Sequence, residues 1–257
     1  MTRWPAYLRD NSGLPGPRAN LELAQAVADV GDPALFDRLI ATDDEYLVFC
    51  GVIGLGRRLA DDPEKLPAGP EGLPDGPEGL ADGPEMLVAG AEMVADGPEG
   101  LADGAEMVAR LHAHAADPRW RVREAVAMAL QRLGDADLSR LMPIVLSWAT
   151  DPHPLVQRAA VAAVCEPRLL STGPAAACAV EVCARATAAL AGLPVDRRRD
   201  ADVRALRQAL GYCWSVAVAA EPATGLPRFT GLDGAADPDV AWILRENRKK
   251  ARLARLP

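Results

Sequence analysis

The feature that most constrains this chain is one pattern that occurs twice, 34 residues apart. Each copy opens with Asp-Pro, places Val five residues after the Asp, and continues with small or apolar residues at helical spacing; the copies are Asp117–Leu130 and Asp151–Val164. Asp-Pro signals a turn and a helix start, and the residues that follow give one apolar helix face. Self-similarity at this period is typical of stacked helical hairpins. The pattern therefore predicts an all-α chain arranged as an α-solenoid.

Weaker copies of the pattern extend this prediction to most of the chain. Asp43 precedes Val48 and Gly51 at nearly the same spacing, Asp200–Leu210 is a degenerate copy, and Asp237-Pro238 opens the last one. Aromatic residues make up only 4% of the sequence and alanine is abundant, which favours closely packed helices over a β-sandwich. We expect about five or six helical hairpins in all.

The motif Asp-Pro-x-x-x-Val-Arg-x-Ala-x-x-Ala-x-Leu, here Asp117–Leu130, resembles the HEAT repeat. Asp151–Val164 is similar, with Gln157 in place of the usual Arg. The ending Asp239–Lys250 is similar to the last repeat of bacterial HEAT-repeat proteins and to the closing helices of HEAT-like alkylpurine DNA glycosylases. The resemblance implies that the Asp and Arg of each motif form caps and hydrogen bonds between neighbouring repeats, which is the structural interpretation of Asp117, Arg123 and Asp151.

A second repeat, with a period of seven, lies between residues 69 and 104. Each heptad holds Gly, Glu and an aliphatic residue, and four heptads also hold Pro. Residues 69–109 contain six Glu, four Asp and neither Lys nor Arg, so the rest of a chain of net charge −8 is +2. The prolines and glycines oppose a continuous coiled coil, because each Pro inside a helix costs about 3 kcal/mol and each Gly about 1 kcal/mol.

The heptads are interpreted as an insertion within one hairpin. This gives three regions: HEAT-like hairpins in 1–68, the acidic low-complexity insertion in 69–104, and HEAT-like hairpins in 105–257. Helical pieces are expected near 84–95 and 105–115. Tandem duplication of a helix-start segment explains the heptads, with a selected binding element as the alternative; a calcium site fits less well, since the period and the ligand spacing differ from calcium-binding repeats.

Motifs for catalysis or cofactor binding are missing from the sequence. His112 and His114 are two residues apart, which places them on different helix faces, so no metal is predicted. The glycines of Gly51–Gly56 lack a preceding strand and fit close helix packing better than phosphate binding. No cofactor is predicted. The five cysteines show no metal or redox spacing and are expected to be buried thiols in a reducing compartment. With no apolar leader and no uninterrupted run of 18 apolar residues, we expect a cytoplasmic protein that does not enter a membrane.

The predicted function is a non-enzymatic scaffold that binds a protein or another macromolecule. In a solenoid the second helix of each hairpin lines the concave face, which is where a partner would lie. Basic residues on those helices and in the basic C-terminal tail are the candidate contacts: Arg123, Arg158, Arg204, Arg245, Arg248, Lys249 and Lys250. A protein partner is favoured, and DNA remains an alternative partner.

The alternative function is a DNA-binding protein or an alkylpurine DNA glycosylase of the HEAT-like class, so the sequence leaves enzymatic activity open. The resemblance implies an aromatic contact with the damaged base and a carboxylate near the glycosidic bond. Trp148 and Asp151 are the residues of the right type at close spacing. The purely structural interpretation of Trp148 and Asp151 is a core tryptophan and a helix cap. Steep weakening of binding by salt would distinguish DNA binding from protein binding.

Overall fold

A computed structural model describes residues 4–16, 18–61 and 99–256. Every regular element in these ranges is helical, with no strand among them, so the all-α prediction is confirmed. The helices are α1 (Trp4–Asp10), α2 (Leu21–Val30), α3 (Pro33–Ile40), α4 (Glu45–Asp61), α5 (Glu99–Ala115), α6 (Trp120–Ala136), α7 (Leu138–Trp148), α8 (Pro154–Val164), α9 (Gly173–Ala191), α10 (Ala201–Ala220), α11 (Pro222–Thr230), α12 (Pro238–Arg248) and α13 (Ala251–Ala254).

Side-chain caps explain where several helices begin. Asp32 accepts a hydrogen bond from the backbone N–H of Leu35, and Asp237 accepts from Asp239 and Val240, each with Pro at the first helical position. Such caps satisfy backbone donors that have no partner within the helix, and Pro loses nothing there because its missing N–H would be unpaired. Asp32-Pro33 and Asp237-Pro238 thus mark helix starts, whereas Asp117-Pro118 and Asp151-Pro152 lie in the turns before α6 and α8, whose N-cap residues are Arg119 and His153.

The helices pack in a regular order along the chain. The even-numbered helices from α2 to α12 contact one another in succession, and α3, α5, α7 and α9 each pack against the even-numbered helix that follows. Nearly all buried apolar side chains form one continuous cluster that runs from Leu8 to Leu244. Residues on both sides of the heptad segment therefore share one core, which α4 and α6 join through the most extensive helix contact of the described chain.

The chain before α3 lies against α4 and α6. The Tyr46 hydroxyl donates to the carbonyl of Asn20 at 2.7 Å, and the Arg121 guanidinium donates to the carbonyl of Gly16 at 3.2 Å. Arg132 of α6 pairs with Asp29 of α2. Every residue of α4 from Tyr46 to Gly56 is buried, so its first eleven residues after Glu45 present no open face. We call α1 to α4, together with the side of α6 that packs against them and holds Arg121 and Arg132, the closed end.

Glycines in α4 allow its neighbours to approach closely. A Cβ added at Gly54 would lie 2.3 Å from the Phe36 ring, and one at Gly56 would lie 2.3 Å from the carbonyl oxygen of Ala129 in α6. Neither position has room for a side chain, because real Cβ contacts are not that short. The prediction that the glycines of 51–56 serve helix packing is confirmed.

Helix α5 extends further toward the N-terminus than the sequence predicted. It starts at Glu99, inside the segment assigned to the insertion, and covers the helix expected at 105–115. Met107, Leu111 and Ala115 recur every four residues and are buried in the core, and this burial opposes the helix-weakening effect of Gly100 and Gly104. The helix expected near 84–95 and the heptads before residue 99 lie outside the described residues.

The five cysteines are all buried and none forms a disulfide, as expected for small apolar residues. Burial raises the pKa of the Cys178 thiol to about 12, which keeps it protonated. Helix α9 is long and apolar enough to span a membrane by length and composition alone. About half of that window, 56%, is buried inside the fold, as in the core helix of a soluble protein.

Candidate binding face

The turn between α5 and α6 is held by charged groups within the turn. The Asp117 carboxylate accepts hydrogen bonds from the backbone N–H of Arg119 at 2.8 Å and from its guanidinium at 2.7 and 2.9 Å. Burial works to raise the pKa of Asp117, but these hydrogen bonds and the charge of Arg119 outweigh it and lower the pKa. Arg119 also donates to the carbonyl of Asp43 at 3.3 Å, which ties this turn to the start of α4.

In the equivalent turn between α7 and α8, the carboxylate contacts a histidine of α5 instead. The Asp151 carboxylate accepts from the backbone N–H of His153 and contacts Nε2 of His112, both at 2.7 Å. The His112 ring meets Trp148 edge-on, with 5.3 Å between ring centroids. Gln157, at the usual Arg position, donates to the carbonyl of Asp151 at 2.6 Å. His112 thus links α5 to the next turn along the chain.

Trp148 and Asp151, the residues of the glycosylase alternative, are brought close together through His112. The Trp148 side chain is only 5% exposed, and both Asp151 oxygens are engaged. A base that stacks on an aromatic ring needs a free ring face, which a buried tryptophan does not offer. The contacts of both residues are those of a core side chain and a turn cap.

Arg123 and Arg158 form the central contact of the candidate binding face. Arg158 of α8 reaches α6 and donates to the carbonyl of Arg123 at 3.4 Å, while Arg123 donates to the carbonyls of Asp117 and Pro118 at 2.6 and 2.8 Å. Both side chains are half-buried. Within the described residues neither forms an ion pair.

The pKa values of both arginines are lowered. Burial lowers the pKa of Arg158, the nearby positive charge of Arg123 lowers it further, and Glu124 only partly opposes this. Burial likewise lowers the pKa of Arg123, and the charges of Asp117 and Glu45 oppose this only in part. The Glu124 carboxyl has a raised pKa, again through burial. A guanidinium held partly out of water beside a second guanidinium is destabilised when nearby carboxyls do not fully offset its lost hydration.

Two exposed aromatic rings lie on α6 and α10, the helices that each pack against α8. Trp120 lies one helical turn before Arg123 and is 49% exposed, and Tyr212 of α10 is 44% exposed. Tyr212 precedes Cys213, whose thiol lies within electrostatic range of both Arg158 and Arg252. We define the basic–aromatic face as this set of six residues from α6, α8, α10 and the C-terminal segment: Trp120, Arg123, Arg158, Tyr212, Lys250 and Arg252.

Each exposed ring already carries a cation. The Arg121 guanidinium lies 4.4 Å from the centroid of Trp120. Lys250 and Arg252 lie 5.5 and 4.8 Å from the centroid of Tyr212, and the Arg252 guanidinium also donates to the Tyr212 hydroxyl at 2.8 Å. Cation–π contacts of this kind hold the rings and the basic C-terminal segment in place.

The remaining predicted contact residues are distributed differently. Arg204 is exposed on the stripe of α10 that holds Gln208 and Tyr212 at four-residue spacing. Arg245 is 61% exposed and lies 3.8 Å from Glu246. Arg248 pairs with Asp233, and Lys249 pairs with Glu246 at 2.6 Å. These pairs neutralise part of the basic tail within the chain itself.

Sequence reasoning gave no contact role to Trp120, Tyr212 or Arg252 in the scaffold interpretation. A signal for Tyr212 was present, since it follows Arg204 by eight residues on a helix with an exposed stripe. Nothing in the spacing of Trp120 distinguished it from a core residue. The approach of Arg252 to Tyr212 depends on how α13 returns to α10, which sequence periodicity does not encode.

Among the described residues, no group of three or more His, Cys, Asp or Glu side chains is placed to hold a metal ion. His112 and His114 take separate roles. His112 contacts Asp151, whereas burial lowers the pKa of His114 against the opposing charge of Asp117.

Comparison with known proteins gives no family assignment. No family model matches the chain, and no curated protein matches it. Among solved structures, the chain is similar to the crystal structure of an engineered protein from a structural genomics consortium, at 14% sequence identity. That match covers 94% of this chain and 95% of the other, with a TM-score of 0.31, which is too low to establish a shared fold.

Proposed function

We propose that this protein is a non-enzymatic scaffold, an α-solenoid of HEAT-like hairpins that binds a macromolecular partner. The succession of contacts among even-numbered helices supports the solenoid, because stacked hairpins bring second helices side by side. The turn hydrogen bonds of Asp117, and the contact of Arg119 with Asp43, match the ladder that the HEAT resemblance implies.

The observation that carries the proposal is the pair of half-buried arginines, Arg123 and Arg158, that have no ion partner among the described residues. Elsewhere in the fold, half-buried arginines are paired: Arg198 contacts Asp237 and Asp239, and Arg207 contacts Asp239 at 2.6 Å. An unpaired charge in a partly dehydrated position destabilises the free protein. Binding of a partner that supplies the counter-charge explains why such a pair would be retained.

The same proposal places the protein in the cytoplasm and assigns it a protein partner rather than a small substrate. Five buried thiols without a disulfide fit a reducing compartment. Two clefts of the described chain are open to solvent and have charged groups among their lining residues: Arg9 and Asp44 in one of about 530 Å³, and Arg57 and Asp135 in the other. Small-molecule sites are typically enclosed and mostly apolar.

Site-specific photo-crosslinking tests the proposed face. A photoreactive residue replaces Gln208, which is exposed on α10, or, as a matched control, Ala188, which is exposed on α9. The proposal expects crosslinked macromolecules in cells from position 208 and far fewer from position 188. Equal yields, or none from either position, would contradict binding through this face. Crosslinks that nuclease removes would favour the DNA alternative.

A further inference from the structure

The arginines of the basic–aromatic face indicate which chemical group of a partner would bind there. Arg123 and Arg158 use only part of their donor capacity, and all of their described acceptors are backbone carbonyls. A guanidinium presents paired N–H donors that match the two oxygens of a carboxylate. The missing partner of these two side chains is therefore an anion with oxygen acceptors.

The composition of the face indicates a macromolecular contact rather than a free anion. Tryptophan, tyrosine and arginine are the residue types that dominate binding energy in protein interfaces. Here Trp120 of α6 and Tyr212 of α10 are both exposed, on the two helices that each pack against α8. A ligand that engages all of these groups must extend across α6, α8 and α10.

Two features favour a polypeptide over a nucleic acid. The Trp120 ring has Arg121 over one face, and the Tyr212 ring has Lys250 and Arg252 against it, which limits the ring surface available for stacking bases. Several tail cations, including Arg248 and Lys249, are already paired within the chain.

We propose that the basic–aromatic face binds an acidic polypeptide segment of a partner protein, with carboxylates of that segment on Arg123 and Arg158 and its apolar side chains on Trp120 and Tyr212. This inference rests on the proposed scaffold function and names the chemistry of its partner. Because the Arg158 guanidinium reaches the backbone of Arg123 in α6, one carboxylate-bearing turn of the partner reaches both side chains.

The test measures binding of a fluorescent peptide of alternating Glu and Leu to the full chain, with a Gln/Leu peptide of equal length as the neutral probe. The chain carries seven carboxylates of its own within 69–98, which can compete with the probe. A second form of the chain, with those seven residues changed to Asn or Gln, removes that competition. Arg158→Gln tests the site, and Arg38→Gln, an exposed arginine on α3, is the charge-matched control.

We expect the acidic peptide to bind the competition-free chain, and Arg158→Gln to raise Kd by about tenfold while Arg38→Gln changes it by less than about twofold. Binding of both peptides alike, binding by neither form of the chain, or equal effects of the two substitutions would overturn the inference. Tighter binding of a labelled single-stranded oligonucleotide, lost in Arg158→Gln, would overturn it in favour of nucleic acid. These outcomes are independent of the crosslinking result at Gln208. Failure of the acidic-segment inference can therefore be distinguished from failure of the scaffold proposal.

Discussion

Arginine side chains have different kinds of partner in the closed end and on the basic–aromatic face. In the closed end, Arg132 extends from α6 to Asp29 and Gln25 of α2, and Arg121 lies 4.0 Å from the carboxylate of Glu45. On the basic–aromatic face, the described hydrogen bonds of Arg123 and Arg158 go only to backbone carbonyls. These two arginines of the closed end thus have ion partners within the described chain, whereas Arg123 and Arg158 do not.

On the proposed function, positions of the closed end serve stability, whereas Arg158 serves binding. A substitution in the closed end should reduce stability, because it removes packing or a satisfied contact. Substitution of Arg158 should leave stability unchanged or raise it, because its partly buried charge has no ion partner within the described chain. The predictions below run from the largest expected effect to the smallest.

Gly56→Ala should produce the largest loss of unfolding free energy. The added methyl group would overlap the Ala129 backbone of α6 and force apart the two most closely packed helices, so we expect destabilisation of about 3 kcal/mol. Chemical denaturation followed by circular dichroism measures this. Gly173→Ala is the control, since its Cβ would meet no atom within 4 Å. A loss of equal size at position 173 would show that the effect does not come from close packing, since Ala is a better helix former than Gly.

Arg132→Met tests the satisfied arginine of the closed end. The substitution keeps the aliphatic stem but removes the contacts with Asp29 and Gln25, and an ion pair of this exposure contributes about 1 kcal/mol or less. We expect a decrease in unfolding free energy of about that size. An Arg132→Met protein more stable than the parent would break the contrast between the two ends.

The turn of Asp117 gives a pH dependence whose sign follows from its lowered pKa. A carboxyl with a lower pKa in the folded than in the unfolded state stabilises the fold above the unfolded pKa, and that stabilisation is lost as pH falls below about 4. Unfolding free energy should therefore decline over this range. Asp117→Asn should decline less steeply over the same range; parallel curves for the two proteins would contradict the role given to this carboxylate.

The sequence predicted the helical class and the helix starts because these depend on local signals. Asp32-Pro33 and Asp237-Pro238 were recognisable caps, and the glycines of α4 were recognisable packing positions. The predicted start of α5 was wrong by several residues. Burial of Met107 and Leu111 stabilises the helix as a whole and offsets the helix-weakening effect of its glycines. Such burial is not visible in local propensity.

The candidate site was predicted only in part. Arg123, Arg158 and Lys250 could be proposed from helix position and charge, but which basic residues lack partners depends on long-range pairing. Arg248 and Lys249 looked equivalent to Lys250 in sequence, yet they pair with Asp233 and Glu246. Tyr212 joins the site through Arg252, a contact between residues 40 positions apart.

The most direct test of the central claim is the stability of Arg158→Met at neutral pH. Since Arg158 is half-buried without an ion partner, the apolar replacement should raise the unfolding free energy by about 0.5 to 1 kcal/mol, while Arg132→Met lowers it. The same Arg158→Met protein should bind the acidic peptide more weakly. A loss of stability of about 1 kcal/mol or more would show that Arg158 serves the fold and not a partner, and would contradict the account.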